Sequence, residues 1–366
     1  MVAEREYVGI EPFFAVGVLV SALSTASFTQ IYHASAASQA TALIMLAAAG
    51  LLKHQGYAGV SRIMVILAVL AAGCFCSFNS RIPDIVAGGH SGYLSGIISG
   101  IGLALQSAID AIPFKEQDTN ALIKALISGN RHDLPEYMTE AFRASGASHI
   151  LALSGLHLGI IYTLISKASC ILGNRHQMKV LRSASNIAIC TTYTLATGAS
   201  ASMTRALLFI ILREIGKITD RPTKLNCLLM KSMLIQLTIS PHDILDIGFQ
   251  LSYAAMAGIV WIYPPLNNIM TDDEADKLTR KIWSSAMLSI SCQLTTLPLT
   301  WHYFGTFPPY FMLTNLLALP LTGIMMPLAA ITVFLSYLGV CPEIMMAATE
   351  KLTESLVFIL ETISEM

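Results

Sequence analysis

The sequence is short of charge. Only 12% of its 366 residues are Asp, Glu, Lys or Arg, about half of the ~25% usual in a soluble domain. Neither sign dominates: 22 basic and 23 acidic residues leave a formal net charge of −1. No global basic surface therefore advertises a nucleic-acid partner, although a membrane channel can carry its basic groups locally. Metal and disulfide frameworks are missing too. The seven cysteines, Cys74, Cys76, Cys170, Cys190, Cys227, Cys292 and Cys341, form no C-x-x-C pair or clustered Cys/His spacing, and read as small buried hydrophobes. There is no G-x-x-x-x-G-K-[ST] loop, which excludes a P-loop motor within the chain. No cofactor is expected. The opening MVAEREYVGIEPFF has neither a basic n-region nor a small-residue cleavage site, predicting an uncleaved first span rather than a signal peptide.

What is abundant is apolar residue. The chain is 54% hydrophobic with a mean hydropathy of +0.62, which predicts an all-α, polytopic integral membrane protein. Spans of ~20 mostly apolar residues fall near 12–32, 34–52, 60–78, 147–170, 184–198, 203–219, 225–240, 245–265, 282–304 and 310–338. The last is interrupted by Pro320 and Pro327 and reads as one segment or two. The tail 343–364 places Glu350, Lys351 and Glu354 on an apolar pattern, which predicts an interfacial helix. The expected organisation is an N-terminal membrane region with a glycine-striped linker over 1–118, a core over 119–342 and the tail helix over 343–366.

Between spans, GGHSGYLSGIISGIGLALQSAI repeats Gly88, Gly92, Gly96, Gly100, Ala104 and Ala108 at intervals of four. On a helix that stripe predicts close approach of a neighbouring backbone. NALIKALISGNRHDLPEYMTEAFRASG then reads as two amphipathic helices around an SGNRHDLP loop, with Pro135 opening the second. With the N-terminus cytoplasmic and 79–146 outside, 13 basic residues from Lys53 to Lys281 fall in cytoplasmic loops, against five (Arg81, Lys115, Lys124, Arg131, Arg143) outside. The positive-inside rule accepts that orientation.

Several polar residues interrupt the predicted spans. HILALSGLHLGII, residues 149–161, sets Ser154 and His157 three residues apart, close to one helix face. His149 lies about 12 Å away along the axis and about 80° around it, which fails the spacing of paired metal-binding histidines. Gly155 and Gly159 form G-x-x-x-G. Two readings fit: a packing helix whose Ser154 bonds back to its own backbone, or a helix unwound near Ser154–Gly155 and lining a hydrated path. GASASMTRALL places Arg205 at the mouth of a span, either snorkelling or held at a pore entrance. In PHDILDIGFQLSYAAMAG, Asp243 and Asp246 suit a first helical turn, and Gln250 lies one turn deeper. Gln293, Thr295, Thr296 and Asn315 add polar groups to later spans. Groups spread this widely describe a polar-lined interior better than a catalytic centre, so the chain is not expected to be an enzyme.

These same segments carry a resemblance. AFRASGASHILALSGLHLGII, SMTRA, PHDILDIGFQLSYAA and QLTTLPLTWHYF with NLLALPL resemble, in order, the ComEC-type competence family over roughly residues 119–338. The resemblance implies an inner-membrane channel that admits single-stranded DNA during natural transformation. It carries His149, Ser154, Gly155, His157, Gly159, Arg205, Asp246, Gly248, Gln250 and Ser252 as channel-lining or motif positions, none with a catalytic step. Larger relatives carry an OB-like domain and a metallo-β-lactamase-like nuclease domain. Residues 79–146 are too short and apolar for the first, and no H-x-H-x-D-H run marks the second. Implied partners are single-stranded DNA, membrane lipid, an extracytoplasmic DNA receptor, a cytoplasmic helicase-like ATPase docking near 171–183 and 216–224, and a separate nuclease. A transporter of lipid or small solute, and an intramembrane hydrolase using Ser154 with His157, are the rival readings.

Overall fold

The computed structural model describes residues 92–169, 176–221, 223–270, 277–305 and 310–365. The expected spans at 12–32, 34–52 and 60–78, and Gly88, lie outside the described residues. Among the described residues every regular element is a helix, so the fold is all-α. The chain divides into two compact units, residues 1–91 with 224–250, and residues 92–223 with 251–366.

The second unit begins with α1 (Gly92–Asp110), α2 (Gln117–Ser128), α3 (Glu136–Ala144), α4 (Ser148–Leu151), α5 (Gly155–Ser169), α6 (His176–Ala196) and α7 (Ala201–Ile218). Local sequence sets the boundaries of α2 and α3. Gly129, at φ +78°, ends α2 by donating its N–H to Ala125, a left-handed stop that glycine adopts without strain. Pro135 precedes α3, whose first residue Glu136 complements the positive helix start. The start of α2 is capped from afar: Glu350 accepts the backbone N–H groups of Lys115 and Glu116 at 2.8 and 3.0 Å.

In the first unit α8 (Leu225–Ile239) is followed by a 3₁₀ turn at Pro241–Leu245. Helix α9 (Ile247–Ala257) passes from this unit into the second, continues through a π-turn at Gly258–Ile262 and ends as α10 (Tyr263–Asn267). The second unit closes with α11 (Lys277–Phe304), α12 (Phe311–Tyr337) and α13 (Glu343–Ser364). Gly258 is required where the π-turn crosses α11, because a Cβ there would sit 2.3 Å from the carbonyl oxygen of Ser291.

Two expectations change in detail. At Gly96 and Gly100 the glycine stripe meets open space, whereas Ala108, its last member, packs against the main core. Gly102, off the stripe, makes the close approach instead, with its missing Cβ position 2.7 Å from the Ala196 carbonyl oxygen of α6. A four-residue period identifies a face, but only the partner's position decides which face is used. The span at 310–338 is one helix: Pro320 and Pro327 lie inside α12, each removing a single backbone donor.

The main core of the second unit gathers Leu122, Leu126, Phe142, Ile150, Met325, Leu356 and Leu360 from α2, α3, α4, α12 and α13. The tail helix thus buries one face, including Thr349, Glu350 and Thr353, in protein, while Ile344 and Phe358 on its other side are exposed. Among the described residues, α12 is the one helix long and apolar enough to cross a membrane by length and composition.

Candidate functional site

The run 147–170, read as one span, is two helices. Helix α4 stops at Leu151, Ala152 is extended at φ −67° and ψ 122°, and α5 starts at Gly155. The restart is written into S-G-L-H. Ser154 Oγ accepts the Leu156 N–H at 3.3 Å, and His157 Nδ1 accepts the Ser154 N–H at 3.1 Å. This is the reciprocal arrangement of a capping box, with histidine in the place usually held by Glu or Gln. With Nδ1 accepting, the neutral ring carries its proton on Nε2, a tautomer assigned from the hydrogen bond. His157 is fully buried, and among the described residues Nε2 has no partner.

The break is braced by the SGNRHDLP loop. Arg131 Nη2 donates to the Leu151 carbonyl at 2.9 Å, satisfying an acceptor at the end of α4. The Leu153 side chain packs on Gly129, 3.0 Å from where a Cβ would stand. Irregular backbone within an apolar run is tolerated only when its polar groups are met in this way.

Arg205 stands in the first part of α7, whose N-cap Ser200 accepts the Met203 N–H. It is only 9% exposed. Its guanidinium carbon lies 5.8 Å from the ring centres of both Phe209 and Tyr253, and Nη2 passes 3.1 Å from the missing Cβ of Gly155. Gly155 is therefore small because Arg205 and Ala206 occupy the space a side chain would need. Arg205 Nε has no partner, and among the described residues no carboxylate forms an ion pair with this guanidinium. Cation–π contact offsets ~0.5–2 kcal/mol of the cost of burying such a cation, short of what removing a charge from water demands.

A second polar cluster lies farther along the same helices. Glu214 of α7, 1% exposed, accepts from the Tyr162 hydroxyl, from Ser183 Oγ at 2.5 Å and from Lys217 Nζ at 2.7 Å. Lys217 also donates to Tyr162 at 2.6 Å. Between the two clusters the inner face of α6 buries Asn186, Cys190 and Thr194, and Asn186 Oδ1 is unpartnered. Helices α5, α6 and α7 thus share a buried polar seam about 13 Å long, counting nine residues from Arg205 to Glu214 at the helical rise.

Each of the other sequence-selected positions has its own local surroundings. His149 is exposed and its Nδ1 pairs with the Gly146 carbonyl at 3.2 Å. Gly159 faces open space, so only Gly155 of the G-x-x-x-G pair is tightly packed. In the first unit Asp246 is exposed and caps α9, accepting the Phe249 N–H at 2.8 Å. Gly248 lies beside that carboxylate, and Gln250 donates to the Ile244 carbonyl at 2.8 Å. Ser252 is half-buried in the second unit. Glu214, Ser183, Asn186 and Arg131 escaped the sequence reading. Glu214 sits between cations that the topology count used, and Ser183, Asn186 and Thr194 show their i, i+3, i+11 facing only once α6 is known to begin at His176.

Among the described residues, an unwound segment within an apolar run lies beside a buried arginine that forms no ion pair, in an all-helical fold. Residues 126–366 match the family described as Competence protein, well over half of the chain, and the chain belongs to that family. One relative is the ComE operon protein 3 of Bacillus subtilis (strain 168), 24% identical over 211 residues that cover 57% of this chain and 25% of that protein. The chain therefore spans about a quarter of that relative's length. No solved structure matches the chain.

Proposed function

We propose that this chain is the membrane-embedded core of a channel that passes single-stranded DNA into the cytoplasm during natural transformation. The observation that carries the reading is the polar seam of α5, α6 and α7, with its helix break and its unmet donors on His157 and Arg205. Family membership supports it. In this reading the protein lies in the inner membrane with about ten spans and a cytoplasmic N-terminus. The many exposed large apolar side chains, among them Trp261, Trp301, Ile324 and Phe334, then face lipid, consistent with surface too apolar for water.

Passage of a strand needs hydroxyls, amides and imidazoles that tolerate phosphates without trapping them, since each neutralised phosphate deepens binding. Moving each negative charge inward against an inside-negative potential costs ~2.3 kcal/mol per 100 mV. A cytoplasmic helicase-like ATPase supplies that work, an extracytoplasmic receptor delivers DNA, and a separate polypeptide degrades the other strand. The test is uptake of labelled DNA by cells lacking the gene, with and without complementation. Uptake restored by the wild type supports the channel; full uptake in the deletion strain overturns it. The 3.2 Å contact between Ser154 Oγ and His157 Nδ1 favours a hydrolase as the second reading. Ser154→Ala abolishes activity in a hydrolase, but only loosens a helix cap in a channel.

A further inference from the structure

We infer that Arg205, together with the first turn of α5, forms a niche for one phosphodiester monoanion of the passing strand. The inference rests on the channel reading and assigns this site its ligand chemistry. Three observations meet here. Arg205 is nine-tenths buried, no acceptor meets its Nε and, among the described residues, no carboxylate pairs with it. A buried charge left this way calls for an anion that the described residues do not supply. The guanidinium lies against Gly155, the first residue of a 15-residue helix, whose positive end favours the same anion. The missing side chain at Gly155 is what lets Nη2 come this close to the helix start.

The flanking groups select the source of the phosphate. Phe209 and Tyr253 both stand 5.8 Å from the guanidinium. Tyr253 is buried, and Phe209, half-buried, is the ring of the two with surface for a base to stack on beside a backbone-binding cation, the way sequence-indifferent proteins hold single strands. A lipid headgroup offers the same phosphodiester but no base to stack. One niche, rather than a row of them, suits transport: it orders the strand locally and releases it, whereas several in series would hold it.

The experiment uses the full chain in lipid-free detergent and measures anisotropy of a labelled oligothymidylate, with an uncharged peptide nucleic acid of equal length as control. Arg205→Met is expected to weaken oligothymidylate binding by about fivefold at 0.1 M salt and to lower the salt-dependence slope by about 0.7, the value for one single-strand phosphate contact. Peptide nucleic acid binding stays unchanged. Arg205→Lys restores the slope with part of the affinity, and Gly155→Ala, whose methyl meets Nη2, behaves like Arg205→Met. Equal slope and affinity in wild type and a folded Arg205→Met protein overturn the niche while leaving the channel standing. Absence of any oligothymidylate binding by the wild type overturns the niche, and full uptake of labelled DNA by cells lacking the gene separately overturns the channel. Displacement of the oligothymidylate by short-chain phosphatidylglycerol, with the displacement lost in Arg205→Met, overturns the strand assignment in favour of lipid.

Discussion

At Ser240–Gln250 the polar side chains are spent on neighbours. Asp243 takes hydrogen bonds from Gln236 and Ser240 at 2.7 and 2.6 Å, Asp246 caps α9, and Gln250 returns to the Ile244 carbonyl. At Ser154–His157 and Arg205 the same kinds of residue also build a helix start, yet among the described residues they leave His157 Nε2 and Arg205 Nε without acceptors. Both stretches stand out in the sequence as hydrophilic interruptions of apolar helices. The difference teaches that a polar cluster becomes a candidate site through what remains unsatisfied after local structure has taken its share.

The sharpest way to break this contrast is through the two glycines. Gly155→Val forces branched carbon against Arg205 Nη2 and Ala206, both 3.1 Å from the missing Cβ, and is expected to destabilise by about 2 kcal/mol through overpacking and to abolish uptake. Among the described residues, a Cβ at Gly248 in Gly248→Ala meets the tip of the exposed Asp246 side chain. It should change stability by less than about 1 kcal/mol, with the helix-propensity gain offsetting the contact. Thermal unfolding in detergent and uptake in complemented cells read both. Equal tolerance at the two glycines would remove the distinction.

The caps offer a smaller and more discriminating comparison. Asp246→Ala should cost about 1 kcal/mol, and Asp246→Asn much less, with oligonucleotide binding unchanged. His157→Gln keeps an acceptor for the Ser154 N–H in capping-box geometry and should melt within about 0.5 kcal/mol of wild type, whereas His157→Leu loses about 1 kcal/mol. If His157→Gln folds but fails in uptake, the role of His157 extends beyond the cap to the proton on Nε2. If it works fully, His157 is a cap like Asp246, and the contrast narrows to Arg205.

Much of the fold was legible because its signals are local. Pro135 and the SGNRHDLP loop separate α2 from α3 as their amphipathic patterns require, and the tail helix falls at Glu343–Ser364. The site was half legible. Ser154 and His157 were visible as a pair, and Arg205 as an isolated cation, but their neighbourhood depends on how α5 and α7 cross. Glu214 was hidden by composition: among Arg213 and Lys217 it reads as loop charge, and only packing turns it inward onto Tyr162 and Ser183. Gly102 was invisible for the same reason, since its use depends on where the Ala196 carbonyl of α6 passes.

Lys124 supplies a small expected effect and the cleanest foil for Arg205. Its ammonium is buried too, but Asp110 and Asp133 hold it at 2.5 and 2.7 Å. Burial alone would lower its pKa; hydrogen bonds and charge from the two aspartates outweigh that and raise it above the ordinary lysine value. The same ammonium holds Asp133 below the ordinary aspartate range, by hydrogen bond first and charge second. The raised lysine stabilises fully below its unfolded pKa, and that contribution fades as pH rises through the folded value. The lowered aspartate stabilises above its unfolded pKa and fades as pH falls through its folded value. The clamp is therefore intact across about pH 5–9 and weakens on both sides. Because both carboxylates are about half exposed, Lys124→Met should cost about 1 kcal/mol or less, and flatten the acid and alkaline limbs of a melting-temperature profile. Arg205, with no carboxylate among the described residues to titrate against it, should show no such acid limb of its own; an acid limb in wild type that disappears in Arg205→Met would reveal a counter-ion and dissolve the contrast between the two buried cations.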